Sequence, residues 1–375
     1  MYIKQKQLEN IKNRIIPSKV FIIYGPRRCG KTTLLNKYLK SVDQKYLMVN
    51  GDDITVQSIL SSQSIEKLKN FVGNNRLLVI DEAQKIENIG LNLKLIIDNI
   101  DSIIVLATGS SAFDLAQKIG EPLTGRKLSF QLFPISQLEL SNIENVAQTK
   151  SLIESRLIYG SYPEVILQND NTCRIEYLKE VVGSYLYKDI LELDSIRSSD
   201  KLIRLLQLLA FQIGKTVSCA ELGSQLTMSK NTVSRYLDLL EKSFVIFRIG
   251  GFSRNLRKEI AKISRYYFYD VGIRNAVINN FNTFDMRNDL GELWENYIIV
   301  ERIKKQQYTG VFSNNYFWRT YDQKEIDWIE ERDGKLYGYE IKWKNSSNCP
   351  KEFKQSYPNS EYETINQDNY LSFIC

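Results

Sequence analysis

The 375-residue chain contains no histidine. That absence removes Ser-His-Asp and Cys-His catalysis, imidazole proton shuttles and every histidine-containing zinc site. Cysteine is scarce: Cys29, Cys173, Cys219, Cys349 and Cys375 are odd in number and scattered, with no CxxC pair. Neither a disulfide framework nor a four-cysteine metal site fits that spacing, and a reducing compartment is expected. No apolar run approaches the ~20 residues of a membrane helix, so no membrane partner is expected. Residues 1–7 are polar, with no signal-peptide-like apolar stretch behind them. The expected location is the cytoplasm.

What is present is ordinary for a globular protein: 43% hydrophobic and 25% charged residues, with a mean hydropathy of −0.30. The length suggests two or three domains, each able to bury a core. The net charge of +6 is unevenly spread: Lys and Arg outnumber Asp and Glu by 19 to 13 in residues 1–140, then balance at 13 and 13 in 141–250 and at 18 and 18 in 251–375. A pI near 8.8 permits contact with nucleic acid without requiring it.

Residues 1–140 alternate between short apolar runs (20–24, 46–49, 77–80, 103–107 and 128–133) and helix-like stretches such as 32–41 and 91–100. Brief runs of Val, Ile and Leu, apolar on both faces, are how buried parallel strands read. The fold class expected is therefore α/β: a parallel sheet covered by helices, with functional loops at the strands' carboxyl ends. From 141 to 250 the pattern turns mostly helical. Aromatic-rich strands return from 251 to 375, around 266–269, 316–318 and 336–343, and all four tryptophans fall there. With no repeat or low-complexity linker, these three segments are expected to pack together.

Gly25-Pro26-Arg27-Arg28-Cys29-Gly30-Lys31-Thr32 fits G-x-x-x-x-G-K-[ST], following an apolar strand and opening an amphipathic helix. Backbone N–H groups of this loop, continuing to Thr33, are expected to cradle the phosphates of ATP. Lys31 is expected to neutralise the β- and γ-phosphates, and Thr32 to offer its hydroxyl to Mg²⁺. The strand 77–80 ends in Asp81-Glu82, expected to hold the Mg²⁺ shell and to polarise the attacking water, respectively. The run 103–107 ends in Thr108-Gly109-Ser110-Ser111. Thr108 or Ser110 is suited to sensing the γ-phosphate, although an ordinary Thr-Gly-Ser turn has the same composition. Arg126, ahead of the fifth strand, is either a surface residue or an arginine finger acting in trans from a second copy, or in cis after closure.

Residues 219–243 have helix-turn-helix spacing. Leu222 and Leu226 share one helix face, Ser229 suits an N-cap, and Val233, Leu237 and Leu240 continue the stripe on the next helix. Residues 244–249 followed by Gly250-Gly251 fit a wing hairpin. Lys230, Asn231, Ser234 and Arg235 form the set expected to face a DNA groove. Such modules also serve as lids and protein interfaces. Arg254, Arg257, Lys258, Lys262 and Arg265 make 252–265 basic enough to follow a phosphate backbone.

Near the C-terminus, Asp327 and Glu340-Ile341-Lys342 flank an expected turn at 330–334, which sets the two acids on adjacent antiparallel strands. Period-2 alternation then puts Glu340 and Lys342 on one face. With Glu295 supplied from a helix, the cluster suits a hard cation such as Mg²⁺ or Mn²⁺ and metal-assisted phosphodiester hydrolysis. Exposed hairpins also carry acids and lysines at such spacing.

With these residues placed, the chain resembles a prokaryotic family that joins an AAA-like P-loop ATPase domain to a C-terminal domain of the DUF4143 type. The signatures are Gly25–Thr32, Asp81-Glu82-Ala83-Gln84, Thr108-Gly109-Ser110-Ser111, Leu123-Thr124-Gly125-Arg126, 132–138 and Gly160-Ser161-Tyr162-Pro163-Glu164. They continue through the helix-turn-helix segment, 267–272, 291–296, Glu325-Ile326-Asp327 and Glu340-Ile341-Lys342. The resemblance implies an ASCE-type ATPase core (with Arg126 as its finger), a winged helix, and a restriction-endonuclease-like α/β domain with Glu295, Asp327, Glu340 and Lys342 at the nuclease positions. Family members often carry a second glycine where Ser161 stands. The function expected is an Mg²⁺-dependent ATPase that rearranges the winged helix and nuclease-like module on nucleic acid, as a homo-oligomer if Arg126 acts in trans. The alternatives are a nucleotide-gated protein-binding switch with slow hydrolysis and an inactive nuclease-like domain, and an ATPase acting on a protein partner with the winged helix as a lid.

Overall fold

The computed structural model describes residues 2–109, 123–186, 199–254 and 263–375. Two compact units emerge, Met1–Pro134 with Lys242–Phe244, and Ile135–Glu241 with Val245–Cys375. Residues 141–375, expected as two segments, thus belong, apart from Lys242–Phe244, to one unit together with 135–140, and the reason is a shared sheet.

In the first unit five strands, β1 (Lys19–Tyr24), β2 (Tyr46–Asn50), β3 (Leu77–Asp81), β4 (Ile104–Gly109) and β5 (Lys127–Gln131), form a wholly parallel sheet. The order is β2-β3-β4-β1-β5. The central strands β3 and β4 are buried along their whole length, which is why they read as unbroken apolar runs. Two apolar layers flank the sheet. Leu34, Leu35 and Tyr38 of the helix Lys31–Leu39 pack with Phe21, Ile23 and Leu106. Ile89, Leu93 and Ile96 of the helix Ile89–Asn99 pack with Val20, Ile80 and Val105.

In the second unit the helix Ser199–Phe211 leads into β6 (Thr216–Val217), two helices (Cys219–Leu226 and Lys230–Lys242), then β7 (Ile246–Gly251) and β8 (Ser264–Phe268). The turn between the two helices is tight: a Cβ on Gly223 would lie 2.7 Å from the Met228 carbonyl oxygen, so glycine is required there. Strands β9 (Asn314–Arg319), β10 (Glu325–Arg332), β11 (Lys335–Ile341) and β12 (Glu361–Ile365) complete a mixed sheet in the order β12-β11-β10-β9-β7-β8-β6. Because β7 pairs with β9, the expected boundary at 250 falls inside this sheet.

The turn expected at 330–334 shrinks to Asp333-Gly334, both at positive φ, the two-residue geometry that suits a twisted hairpin. Glu330 looked like a turn residue but is fully buried in β10, where the Arg302 guanidinium donates to both its oxygens at 2.6 and 2.8 Å. Behind the sheet runs the helix Leu290–Thr309, whose buried Trp294 meets the rings of Trp343 and Tyr370 edge-on, each at 5.1 Å.

Candidate functional site

The parallel order sets three strand ends side by side. Gly25 follows β1, Thr108 stands near the end of β4, and Asp81 ends β3, so all lie at the carboxyl edge where open α/β sheets bind ligands. The phosphate loop is shaped by what surrounds it. A Cβ on Gly25 would lie 2.0 Å from the Leu132 carbonyl oxygen, and Gly30 turns with φ +98°. Arg28 also sits at positive φ, while Pro26, lacking an N–H, offers the loop no donor. The buried Gln5 side chain donates to the Cys29 carbonyl at 3.1 Å and braces the loop from the N-terminal segment. Cys29 is itself buried, Arg27 half-buried, and Thr32 and Thr33 face solvent at the helix start. Lys31 is buried, its Nζ donating to the Gly25 and Pro26 carbonyls at 2.9 and 2.8 Å.

Thr32 Oγ1 donates to Asp81 Oδ2 at 2.7 Å, and Thr108 Oγ1 donates to Asp81 Oδ1. The Glu82 N–H in turn donates to Thr108 Oγ1 at 3.1 Å. A hydroxyl and a carboxylate in contact beside a phosphate loop are hard oxygen donors, and they fit Mg²⁺. Glu82 adopts a left-handed backbone, and the following turn brings Gln84 Nε2 onto its Oε2. Sequence reasoning gave Gln84 no role. Its signal was the two-residue spacing behind Glu82.

Arg126 lies elsewhere. Its neighbour Lys127 pairs with Val20 at the amino end of β1, five residues from Gly25, or roughly 16 Å at strand rise. There it pairs with Asp98 at 3.2 Å. Arg126 therefore does not reach the phosphate loop of its own unit. Ser110 and Ser111 lie outside the described residues, as do Arg257, Lys258 and Lys262.

In the second unit, Lys230, Asn231, Ser234 and Arg235 are all exposed on the helix Lys230–Lys242, and the Thr232 N–H donates to Ser229 Oγ at 3.1 Å. Asp327, Glu340, Lys342 and Glu295 are brought together. Lys342 Nζ lies 2.7 Å from Glu340 Oε1 and 3.7 Å from Asp327 Oδ2, so both acids face one side. Glu295 Oε1 accepts from Tyr267 Oη at 2.6 Å.

Arg265 enters the same cluster, at 3.3 Å from Asp327, 3.6 Å from Glu295 and 2.6 Å from Glu325. Only 3% exposed, Arg265 cannot follow a phosphate backbone, which corrects that expectation. Its burial opposes its charge, but Tyr267, Glu295, Asp327 and Glu325 outweigh that and raise its pKa. Among the described residues, no group of three or more Cys, Asp or Glu is arranged to hold a metal ion. Where Mg²⁺ or Mn²⁺ was expected, a buried guanidinium stands among the carboxylates.

Burial, reinforced by the charge of Asp327, pushes Glu295 up to about 8 from its ordinary 4.5. An acid whose pKa is higher in the fold favours the fold while protonated. That contribution is complete below the unfolded pKa and is lost as pH rises through about 8. Melting temperature is expected to fall between about pH 4.5 and about pH 8, and Glu295→Gln to flatten that fall. An unchanged slope in the variant contradicts the assignment.

Residues 17–141 match the family described as AAA domain, and residues 290–370 match Domain of unknown function (DUF4143). The chain carries an AAA domain and a DUF4143 domain. Between them, residues 150–283 match Domain of unknown function (DUF8612). The AAA domain holds the whole phosphate-loop site, and the DUF4143 domain holds Glu295, Asp327, Glu340 and Lys342.

Among curated relatives, an uncharacterized protein of Methanocaldococcus jannaschii is 25% identical, over 95% of this chain and 83% of the relative. An uncharacterized protein of Mycobacterium tuberculosis is 26% identical, over 86% of this chain and 70% of the relative. Among solved structures, a Walker-type ATPase of Pyrococcus abyssi aligns with a TM-score of 0.47 at 14% identity, covering 73% of this chain and 94% of that one. Among the described residues, no helix of this AAA and DUF4143 chain is long and apolar enough to cross a membrane.

Proposed function

We propose that this chain is an Mg²⁺-dependent cytoplasmic ATPase whose cycle rearranges a winged helix and a nuclease-like module on DNA. The observation that carries the ATPase reading is the contact of Thr32 and Thr108 with the two oxygens of Asp81, with Glu82 one residue on. Lys31 supplies the positive charge opposite the β- and γ-phosphates, exchanging loop carbonyls for phosphate oxygens. Thr32 and Asp81 hold Mg²⁺, which when bound offsets charge on the phosphates. Thr108 fixes the Asp81 carboxylate, and Glu82 takes the proton of the attacking water. Arg126, remote from its own loop, serves the nucleotide of a second copy in a homo-oligomer.

The winged-helix reading rests on the order helix, strand, helix, helix, strand, strand and on the exposed Lys230, Asn231, Ser234 and Arg235. DNA is expected to raise ATP turnover, with binding that weakens steeply as salt rises. Lys230→Ala and Arg235→Ala are each expected to lower the slope of log affinity against log salt by about 1. Salt-insensitive binding with no effect on turnover would transfer the role to a protein partner. One observation favours the slow-hydrolysing switch: Gln84 donates to the carboxylate that must act as base.

A further inference from the structure

Strand β8 is Ser-Arg-Tyr-Tyr-Phe, and its last four residues are buried. An arginine in such a strand must find anions, and Arg265 finds those of the nuclease-like pocket. This pocket, of about 740 Å³, is lined in part by Arg265, Glu295, Glu325, Asp327 and Lys342.

Most of the carboxylate oxygens in this cluster are already engaged. Asp327 Oδ1 faces the Arg265 guanidinium at 3.3 Å. Asp327 Oδ2 accepts from the Ile341 N–H at 3.0 Å and lies 3.7 Å from Lys342 Nζ. Glu295 Oε1 takes the Tyr267 hydroxyl, Glu325 Oε2 takes Arg265 at 2.6 Å, and Glu340 Oε1 takes Lys342 at 2.7 Å. Glu340 Oε2 is buried and without a hydrogen-bond partner. Both oxygens of Asp327, the acid central to the expected metal site, therefore already face protein donors. A divalent ion entering would also meet two fixed cations within a few ångströms.

We infer that Arg265 is the resident cation of the nuclease-like pocket, which takes no divalent ion and serves as an ion-paired brace. The brace ties β8, the hairpin strand behind the helix-turn-helix, to β10 and to the helix Leu290–Thr309. This goes beyond the ATPase reading and does not depend on it. Its consequence is that the pocket does not hydrolyse phosphodiesters by metal assistance.

Mn²⁺ binding, read from the free-ion electron paramagnetic resonance signal, tests it on the full chain without nucleotide. An Asp81→Asn background removes the carboxylate of the phosphate-loop site. With Arg265 intact, no bound Mn²⁺ is expected. Arg265→Gln on that background is expected to bind one Mn²⁺ at least about 10-fold more tightly, and Asp327→Asn to abolish the gain. Stoichiometric Mn²⁺ binding with Arg265 intact, lost on Asp327→Asn, would overturn the inference. So would an Arg265→Gln protein with native circular dichroism and no gain in Mn²⁺. The first arm leaves the pocket unaltered, so the test stands even if Arg265→Gln fails to fold.

Discussion

Glu82→Gln is expected to leave ATP and Mg²⁺ bound while slowing hydrolysis by about 10²- to 10⁴-fold, the usual reach of one positioned general base. The amide keeps the size of the side chain and its contact with Gln84 but cannot accept the water's proton. Asp81, already engaged by Thr32 and Thr108, is held apart from that task. Single-turnover hydrolysis and nucleotide binding, measured on the same preparation, separate the two effects. Wild-type turnover in Glu82→Gln would mean that another residue is the base. Gln84→Ala is the companion substitution: if Gln84 restrains Glu82, turnover rises in the variant, and if it orients Glu82, turnover falls.

Lys31→Ala is expected to weaken ATP binding by at least about 2 kcal/mol, roughly 30-fold, since truncating one partner of a buried charge pair costs about that much. Two loop carbonyls, those of Gly25 and Pro26, also lose their donor, so the loop itself is expected to loosen. Fluorescent-nucleotide titration reads the affinity. Protection of the loop amides from hydrogen exchange reads the loop. Unchanged affinity would remove Lys31 from the phosphate site.

The parallel sheet was legible because strands buried on both faces leave continuous apolar runs, as at β3 and β4. Their lateral order was not: nothing in the runs shows that β4 inserts between β3 and β1, yet that insertion is what brings Thr108 to Asp81. The edge strand β2 is less distinct, with Tyr46 and Asn50 exposed at its ends.

In the second unit, period-2 alternation correctly set Glu340 and Lys342 on one face. Arg265 was misread because its segment is basic and its neighbours 255–262 add to that charge. The informative feature was an arginine inside an apolar and aromatic run, which points to a buried charge with carboxylate partners. Glu330 was misread for the reverse reason, since its neutralising Arg302 lies on a helix 28 residues away in sequence. Arg126 shows a third limit. The motif names the residue, but the parallel pairing of β5 with β1 sets it at the edge of the sheet opposite the phosphate loop.

Steady-state phosphate release from ATP by the full chain, with and without Mg²⁺ and beside Asp81→Asn, tests the central claim most directly. The account predicts release that depends on Mg²⁺ and is lost when Asp81 is neutralised. Release that persists without Mg²⁺, or that Asp81→Asn leaves unchanged, would contradict it.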